Sequence, residues 1–315
     1  MGEHIIRRDE SLRRGVTDRE LQRQCRVGAW RRLHPGRFVH ASAFLDLAAE
    51  ARHRLLAEAV LGVASDEAVL SHQSAAVVHG FDLWNTPLSH VHLTRNRRSG
   101  GSRGRHRQVH SLPLAPDDVT TVDGLRVTTP ARTIVDLAST LPFEQALVVA
   151  DHALHGGATT ADDVALAVDE TRRGAGKAHR LLRWADGRSE SVGESRSRAL
   201  FIREQLPVPD LQATLISETG VRLGRVDFLA GGVVGEFDGR VKYGRLVPAG
   251  QVPADVLWNE KLREDAIRDA GWQVVRWIWD ELGTPRVVVD RWMRAIARAR
   301  NSPPPTGRVI PLPIT

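Results

Sequence analysis

Arg225-Val226-Asp227-Phe228-Leu229-Ala230-Gly231-Gly232-Val233-Val234-Gly235-Glu236-Phe237-Asp238 reads as two short apolar strands joined by a glycine pair. Both central residues of the favoured two-residue hairpin turn need a positive φ, which glycine reaches without strain, so Gly231-Gly232 predicts a tight hairpin. With Ala230 opposite Val233, residues whose numbers sum to 463 face each other. Asp227 then lies opposite Glu236 with Cβ atoms roughly 5 Å apart, and two carboxylates meet on one face. Alternation sends Val226, Phe228, Gly235 and Phe237 to the other face and the core. Paired acids suit a hard divalent cation, Mg²⁺ or Mn²⁺, held by carboxylates, water and substrate phosphate and able to activate a water for phosphodiester attack. The same register sets Arg225 opposite Asp238 as an ordinary cross-strand ion pair and leaves Glu236 free to be a solvated edge residue. The spacing by itself therefore admits a purely structural role.

The flanks extend the hairpin into a domain. Ser191-Val192-Gly193-Glu194 has the spacing of a capping box, followed by the apolar stripe Ala199, Leu200, Ile202 and Leu206. Capping alone would account for Glu194. Strands are predicted over about 211–217, 222–229 and 233–238, then a helix Val256–Ala270, an apolar strand Trp272–Trp279 and a last helix Arg286–Arg300. Helix, three strands, helix, strand is the order of an α/β sandwich. The proline-rich residues 301–315 read as a disordered tail.

Length and composition set the outer bounds. A chain of 315 residues with 42% apolar content is globular and long enough for more than one domain. No signal-peptide pattern opens it, and its most apolar stretch, near Leu55–Ala64, contains Glu58 and is too short for a bilayer. A soluble cytoplasmic protein with no membrane partner is the expectation. The single cysteine, Cys25, excludes intramolecular disulfides and any multi-cysteine zinc site. The formal net charge is only +6, and the lysines are just Lys177, Lys242 and Lys261. Arginine is placed unevenly: ten against five acids in residues 1–40, and six with no acid in residues 89–112. Arginine forks suit phosphates and guanine edges, so both patches point to DNA, although an arginine-rich proteome would supply part of the bias.

Residues 1–42 read as short helix, turn, helix and a two-stranded wing, a winged helix-turn-helix. Gly15 breaks the first helix and Thr17 or Asp18 caps the second, which carries Arg19, Arg23 and Arg26 along one side; Arg31, Arg32 and Arg37 sit on the wing around His34-Pro35-Gly36. Residues 43–186 read as an α/β middle domain. Helices are predicted over 44–64, Ser71–His79, from Thr129-Pro130 onward, Phe143–His155, Ala161–Glu170 and Lys177–Trp184. His90-Val91-His92-Leu93 alternates as a strand, with the two histidines on one face and no obvious third ligand. Arg95–Arg107, including Arg95, Arg97 and Arg98, reads as a flexible basic loop that contacts a phosphate backbone.

From Glu194 through Asp227, Glu236-Phe237-Asp238-Gly239 and Glu260-Lys261-Leu262-Arg263-Glu264-Asp265 to Gly271-Trp272, about residues 190–282 of a last domain over 187–300 resemble the PD-(D/E)xK nucleases, closest to the branch of the very-short-patch repair endonucleases. The resemblance implies a restriction-endonuclease-like α/β sandwich in which Glu194, Asp227 and Glu236 hold Mg²⁺ or Mn²⁺ and Arg263 orients phosphate. Many members carry lysine where this chain has Asp238, so the resemblance leaves catalysis to Asp238 itself as an added ligand, or to Lys242 or Lys261 as a charge supplied from elsewhere. Gly28-Ala29-Trp30-Arg31-Arg32-Leu33-His34-Pro35-Gly36, Ser71-His72-Gln73-Ser74-Ala75-Ala76 and Thr128-Thr129-Pro130-Ala131-Arg132-Thr133-Ile134-Val135-Asp136-Leu137-Ala138 resemble AbiEi-type antitoxins of type IV toxin–antitoxin systems. That likeness implies a transcriptional regulator whose partners are DNA and a cognate toxin. Its usual first helix is absent here or reduced to Glu3–Arg8. The overall expectation is an α/β protein (α+β across its domains) that binds DNA as an antitoxin-type regulator and carries an endonuclease-like domain. The alternatives are a catalytically inactive repressor and a repair or restriction endonuclease with a targeting module.

Overall fold

The computed structural model describes residues 5–97, 99–169, 174–239 and 253–313. Contacts divide the chain into two compact units, residues 1–149 with 157–184 and residues 150–156 with 185–315. The segments 1–42 and 43–186 of the sequence reading fall almost entirely in the first. The α/β expectation holds, with helices and three sheets, two of them mixed and one antiparallel.

At the front, β1 (Ile6–Arg7), β2 (Trp30–His34) and β3 (Arg37–His40) form an antiparallel sheet in the order β1, β3, β2, with helices α1 (Arg8–Arg13) and α2 (Asp18–Arg26) ahead of the β2–β3 wing. The Thr17 hydroxyl starts α2 by accepting the N–H of Glu20 at 3.2 Å, one of the helix donors that has no partner inside the helix. One expectation changes here. Ile6 and Arg7 pair with Phe38 and Arg37 as a strand, so they are not the remnant of a leading helix.

Helices α3 (Ala41–Leu45) and α4 (Ala49–Leu61) lead to a six-stranded mixed sheet. Its strands are β4 (Val69–Leu70), β5 (Val91–Arg95), β6 (Ser102–Arg103), β7 (Arg107–Ser111), β8 (Val119–Val122) and β9 (Leu125–Thr128), in the spatial order β6, β7, β5, β4, β9, β8. The basic tract expected as a loop without structure therefore contains a strand, Ser102 and Arg103 pairing with Val109 and Gln108. Helix α5 (His72–His79) packs its apolar side on this sheet with Ala57, Val60, Leu70, Val91, Leu93 and Val127. Thr129 and Pro130 open α6 (Pro130–Thr140) as cap and first residue, and α7 (Phe143–His155), α8 (Ala161–Asp169) and α9 (Ala175–Trp184) follow.

The second unit is built on the sequence order α10 (Val192–Arg203), β10 (Asp210–Ile216), β11 (Arg222–Ala230), β12 (Val233–Asp238), α11 (Pro253–Asp269), β13 (Gln273–Ile278), α12 (Trp279–Leu282), α13 (Pro285–Arg300) and β14 (Arg308–Ile310). The hairpin forms as expected: Phe228, Leu229 and Ala230 face Gly235, Val234 and Val233, and both turn glycines have positive φ, 53° and 82°. Strand β13 adds in parallel to β12, a crossover that α11 provides. Two expectations fail. The tail is not disordered throughout, because Arg308–Ile310 pairs with Ile216, Leu215 and Thr214 and completes the sheet order β13, β12, β11, β10, β14. Val226 and Phe228 are both buried but join separate clusters, Val226 with Ala213, Leu215, Val234 and Ile267, and Phe228 with Phe201, Trp277 and Trp292.

Gly193 shows why this packing needs a missing side chain. A Cβ placed there would collide with the Phe237 ring, so the first turn of α10 reaches β12 only as glycine. Gly193→Ala is expected to cost about 1–3 kcal/mol of stability through overpacking, read as a lowered thermal midpoint. An unchanged midpoint would show that the helix can retreat freely.

Candidate functional site

The end of the β11–β12 hairpin gathers the acids that the sequence singled out. The backbone ladder stops at Phe228 and Gly235, and beyond it the Asp227 carboxylate accepts the N–H of Phe237 at 2.9 Å. A side chain thus takes the place of a ladder carbonyl, and the strands part. The expected Arg225–Asp238 pair does not form: Arg225 instead grips Glu190 through both guanidinium ends at 2.5 and 2.7 Å. Glu190 is far away in sequence, so a register argument confined to the hairpin had no means of finding it.

Glu194, at the first turn of α10, is 7% exposed and fully engaged. Its carboxylate accepts the N–H of Glu190 at 3.0 Å, the Ser191 hydroxyl at 2.7 Å and the Gln212 amide at 2.8 Å. The Ser191 hydroxyl in turn accepts the N–H of Glu194 at 3.2 Å, the helix cap the spacing predicted. Gln212 was not foreseen. It lies in β10 with a φ of +54°, in the left-handed region that a side-chain-bearing residue adopts only under local constraint.

Glu236 is clasped by two arginines, Arg263 Nη2 at 2.6 Å from one oxygen and Arg276 Nη2 at 2.8 Å from the other. Arg263, from α11, also holds Glu260 at 2.9 Å and the carbonyl of Arg225 at 3.2 Å. Arg276 sits beside Glu236 on the neighbouring strand β13 and reaches Glu260 and Glu264 at 2.5 and 3.1 Å. Sequence reading had placed Arg263 here and missed Arg276, whose only signal is a cation in an otherwise apolar strand. Asp238 continues β12 two residues past Glu236 and has interactions of its own. Lys261 is exposed and two residues from Arg263, a spacing that puts it on a different side of α11. Lys242 lies outside the described residues.

Electrostatics single out Asp227. Burial first, then the negative charges of Glu194 and Glu236, push its carboxyl up to about 7, against the hydrogen bond from Phe237. Burial also raises Glu194. The donor chemistry, three carboxylates, is right for Mg²⁺ or Mn²⁺, but the arrangement is not. Glu194, Asp227 and Glu236 are not among the close groups of potential metal ligands found in the described residues, and both oxygens of Glu236 already face guanidinium groups. Here the arginines supply the positive charge that a cation would bring.

The residues expected to meet DNA differ in what they are free to do. Arg19, Arg26 and Arg32 are exposed, and no carboxylate among the described residues pairs with them. Arg23 is exposed on the same helix but forked onto Glu20 at 2.8 Å, and Arg31 lies over the Phe44 ring at 4.8 Å with its surface open. Arg97 is exposed and pairs with Glu67 at 2.9 Å, and Arg95 is half-buried. Arg37 is a correction: it is half-buried, bonded to the carbonyl of Gly62 at 3.2 Å and near Asp9 at 3.6 Å, so it braces the wing instead of presenting a free charge. Arg263 is consumed by the acidic cluster, and Arg98 lies outside the described residues. No helix among the described residues is long and apolar enough to cross a membrane.

Residues 67–183 match the family model described as the AbiEi antitoxin C-terminal domain. Across a wider span the chain is similar to two proteins of Mycobacterium tuberculosis, "Uncharacterized protein MT2308" of strain CDC 1551 / Oshkosh and "Uncharacterized protein Rv2248" of strain ATCC 25618 / H37Rv. Each is 32% identical over 232 residues, which is 72% of this chain and 80% of the relative.

Proposed function

Because the chain belongs to the family of these two mycobacterial proteins and carries the AbiEi antitoxin domain, we propose that it is a DNA-binding regulator of the antitoxin type, acting with a cognate toxin. The observation that carries this reading is the pairing of that domain with a front segment whose second helix turns Arg19, Arg23 and Arg26 outward on one side. Positions spaced by four and seven share one helix face, the width that a major groove admits. Arg31 and Arg32 on the wing extend the same positive surface.

Binding should weaken steeply with salt, since each neutralised phosphate releases counterions. Fluorescence anisotropy with a duplex from upstream of the protein's own gene is the test. Replacing Arg19 and Arg26 together by alanine is expected to lower affinity and to reduce the salt slope by about 2, roughly one per lost phosphate contact. An unchanged slope would remove this helix from the interface, and absence of salt-sensitive binding by the parent would overturn the reading.

One observation favours a second reading, a metal-dependent endonuclease in the second unit. Asp227 is a buried carboxyl whose ionisation is opposed by two neighbouring acids, and a cation would relieve that opposition. Against it stand Arg263 and Arg276 on Glu236, and Asp238 in the position where the resembled nucleases carry lysine. We therefore place the acidic cluster in a binding domain, not a cutting one. Supercoiled DNA incubated with the protein and Mg²⁺ or Mn²⁺ is expected to stay intact. Nicking by the parent that EDTA and Asp227→Ala both abolish would establish the endonuclease.

A further inference from the structure

His72, His92 and His110 come from the start of α5, from β5 and from β7, and each offers a ring nitrogen such that all three lie within 4.8 Å of one another. His92 Nδ1 stands 2.9 Å from His110 Nε2, and the rings of His72 and His110 stack with centroids 3.8 Å apart. His90, the partner that alternation offered to His92, is not in the group. The real partners come from a parallel strand and a helix start, which no local spacing reveals. Among the described residues this is the one cluster of potential metal ligands so closely gathered.

Two further features mark this cluster as unusual. Asp136 is 2% exposed, and its Oδ2 has no hydrogen-bond partner while lying 3.8 Å from His72 Nδ1. Its other oxygen is fixed by Arg132 Nε at 2.9 Å, so the orphan oxygen is held in place. His72 Nδ1 meets the Ser71 hydroxyl at 3.0 Å with this carboxylate behind it, and outer partners of that kind orient a metal-binding imidazole. His72 itself has a φ of +50°, a strained conformation for a residue with a side chain, retained at the buried end of a helix. Burial, aided at His72 and His92 by the neighbouring imidazoles, holds all three rings neutral, with His92 at about 3 and His110 at about 4. Neutral imidazole is the form that binds metal.

We propose that His72, His92 and His110 form a site for one transition-metal dication of the zinc class, with Ser71 orienting His72, the Asp136 carboxylate behind it and water completing the shell. Three imidazole nitrogens and an open fourth position suit Zn²⁺ and, by the same softness, Co²⁺ or Ni²⁺. Tetrahedral ligands at about 2.0–2.1 Å from zinc stand roughly 3.3 Å apart, so the His92–His110 pair need open by only a few tenths of an ångström. One of the two nitrogens in the His92–His110 contact carries a hydrogen there, so that ring must take its other tautomer for both to meet a single ion. His110 also borders a cavity of about 550 Å³ lined by residues 99–103 and 108–112, which offers an entry path. This site lies outside the acidic cluster and stands whether or not the protein is a regulator.

The test uses the full chain, stripped with chelator and titrated with Zn²⁺ by calorimetry and with Co²⁺ by visible absorption. One equivalent is expected at a dissociation constant of about 1 μM or tighter, with the intense visible bands of tetrahedral Co²⁺. His110→Ala is expected to weaken binding at least about tenfold, while His179→Ala, an exposed histidine elsewhere, leaves it unchanged. Weak, multi-site binding by the parent without those bands overturns the proposal, a result that needs no variant to fold. Equal affinity in His110→Ala and the parent overturns it as well.

Discussion

Arg132→Ala is expected to destabilise the protein by about 3–5 kcal/mol, the cost of leaving buried charge without its partner. Arg132 is 3% exposed and holds three acceptors at once: Asp118 at 2.9 Å, Asp136 at 2.9 Å and the carbonyl of Pro113 at 3.0 Å. Burial already raises Asp136 to about 6 with the arginine present, and the arginine is what opposes a further rise. Without it, two buried carboxylates must either take up protons or stay charged in a poorly solvating interior. The Asp136 part of the loss should therefore be greatest above about pH 7 and shrink as pH falls through about 6, where that carboxyl is protonated with or without the arginine. Urea unfolding followed by circular dichroism reads both quantities. A change below about 1 kcal/mol would mean that water reaches this network and that the ion pairs are ordinary surface contacts.

Asp227→Asn is the opposite case, a substitution at the acidic cluster expected to stabilise. With its carboxyl at about 7 when folded and near 3.8 when unfolded, the native chain keeps a proton that the unfolded chain releases over the interval between those values. Stability must then fall as pH rises from about 4 to about 7 and level off above. The shift corresponds to about 4 kcal/mol at 1.36 kcal/mol per unit, an order of magnitude to which Glu194 adds in the same direction. Asparagine retains an acceptor for the N–H of Phe237 and removes the charge. The variant should match the parent near pH 4 and exceed it by about 2–4 kcal/mol near pH 8, read by tryptophan fluorescence, since Trp258, Trp272, Trp277, Trp279 and Trp292 all lie in the second unit. A parent whose stability is flat across that range would sink the picture of a strained, ionisation-resistant acid.

The hairpin was legible in the sequence because a glycine pair between alternating runs leaves one register and one turn. The same logic found the helix caps at Thr17, Thr129 and Ser191, each a local contest between a hydroxyl and an unpaired helix donor. What it could not reach depended on chain segments far apart. Arg225 finds Glu190, Glu236 finds Arg276, Glu194 finds Gln212, and His92 finds His72 and His110. The spacing thus drew attention to these carboxylates but not to the arginines and the amide that lie against them. A pattern of acids reads the same whether a cation or a pair of guanidinium groups will face it, and only the fold decides between them.

The last strand carries a consequence for solubility. Arg308–Ile310 covers the outer side of β10, whose backbone donors and acceptors would otherwise face water along the rim of the sheet. An open rim is a template for another chain's strand, and the strand that would be uncovered is rich in Leu, Ala, Thr and Ile. The proline-flanked tail thus acts as an internal stopper against strand-by-strand polymerisation. A chain cut after Arg300 should fold its helices and still clump, its sheets joining rim to rim where the native protein has already filled the place.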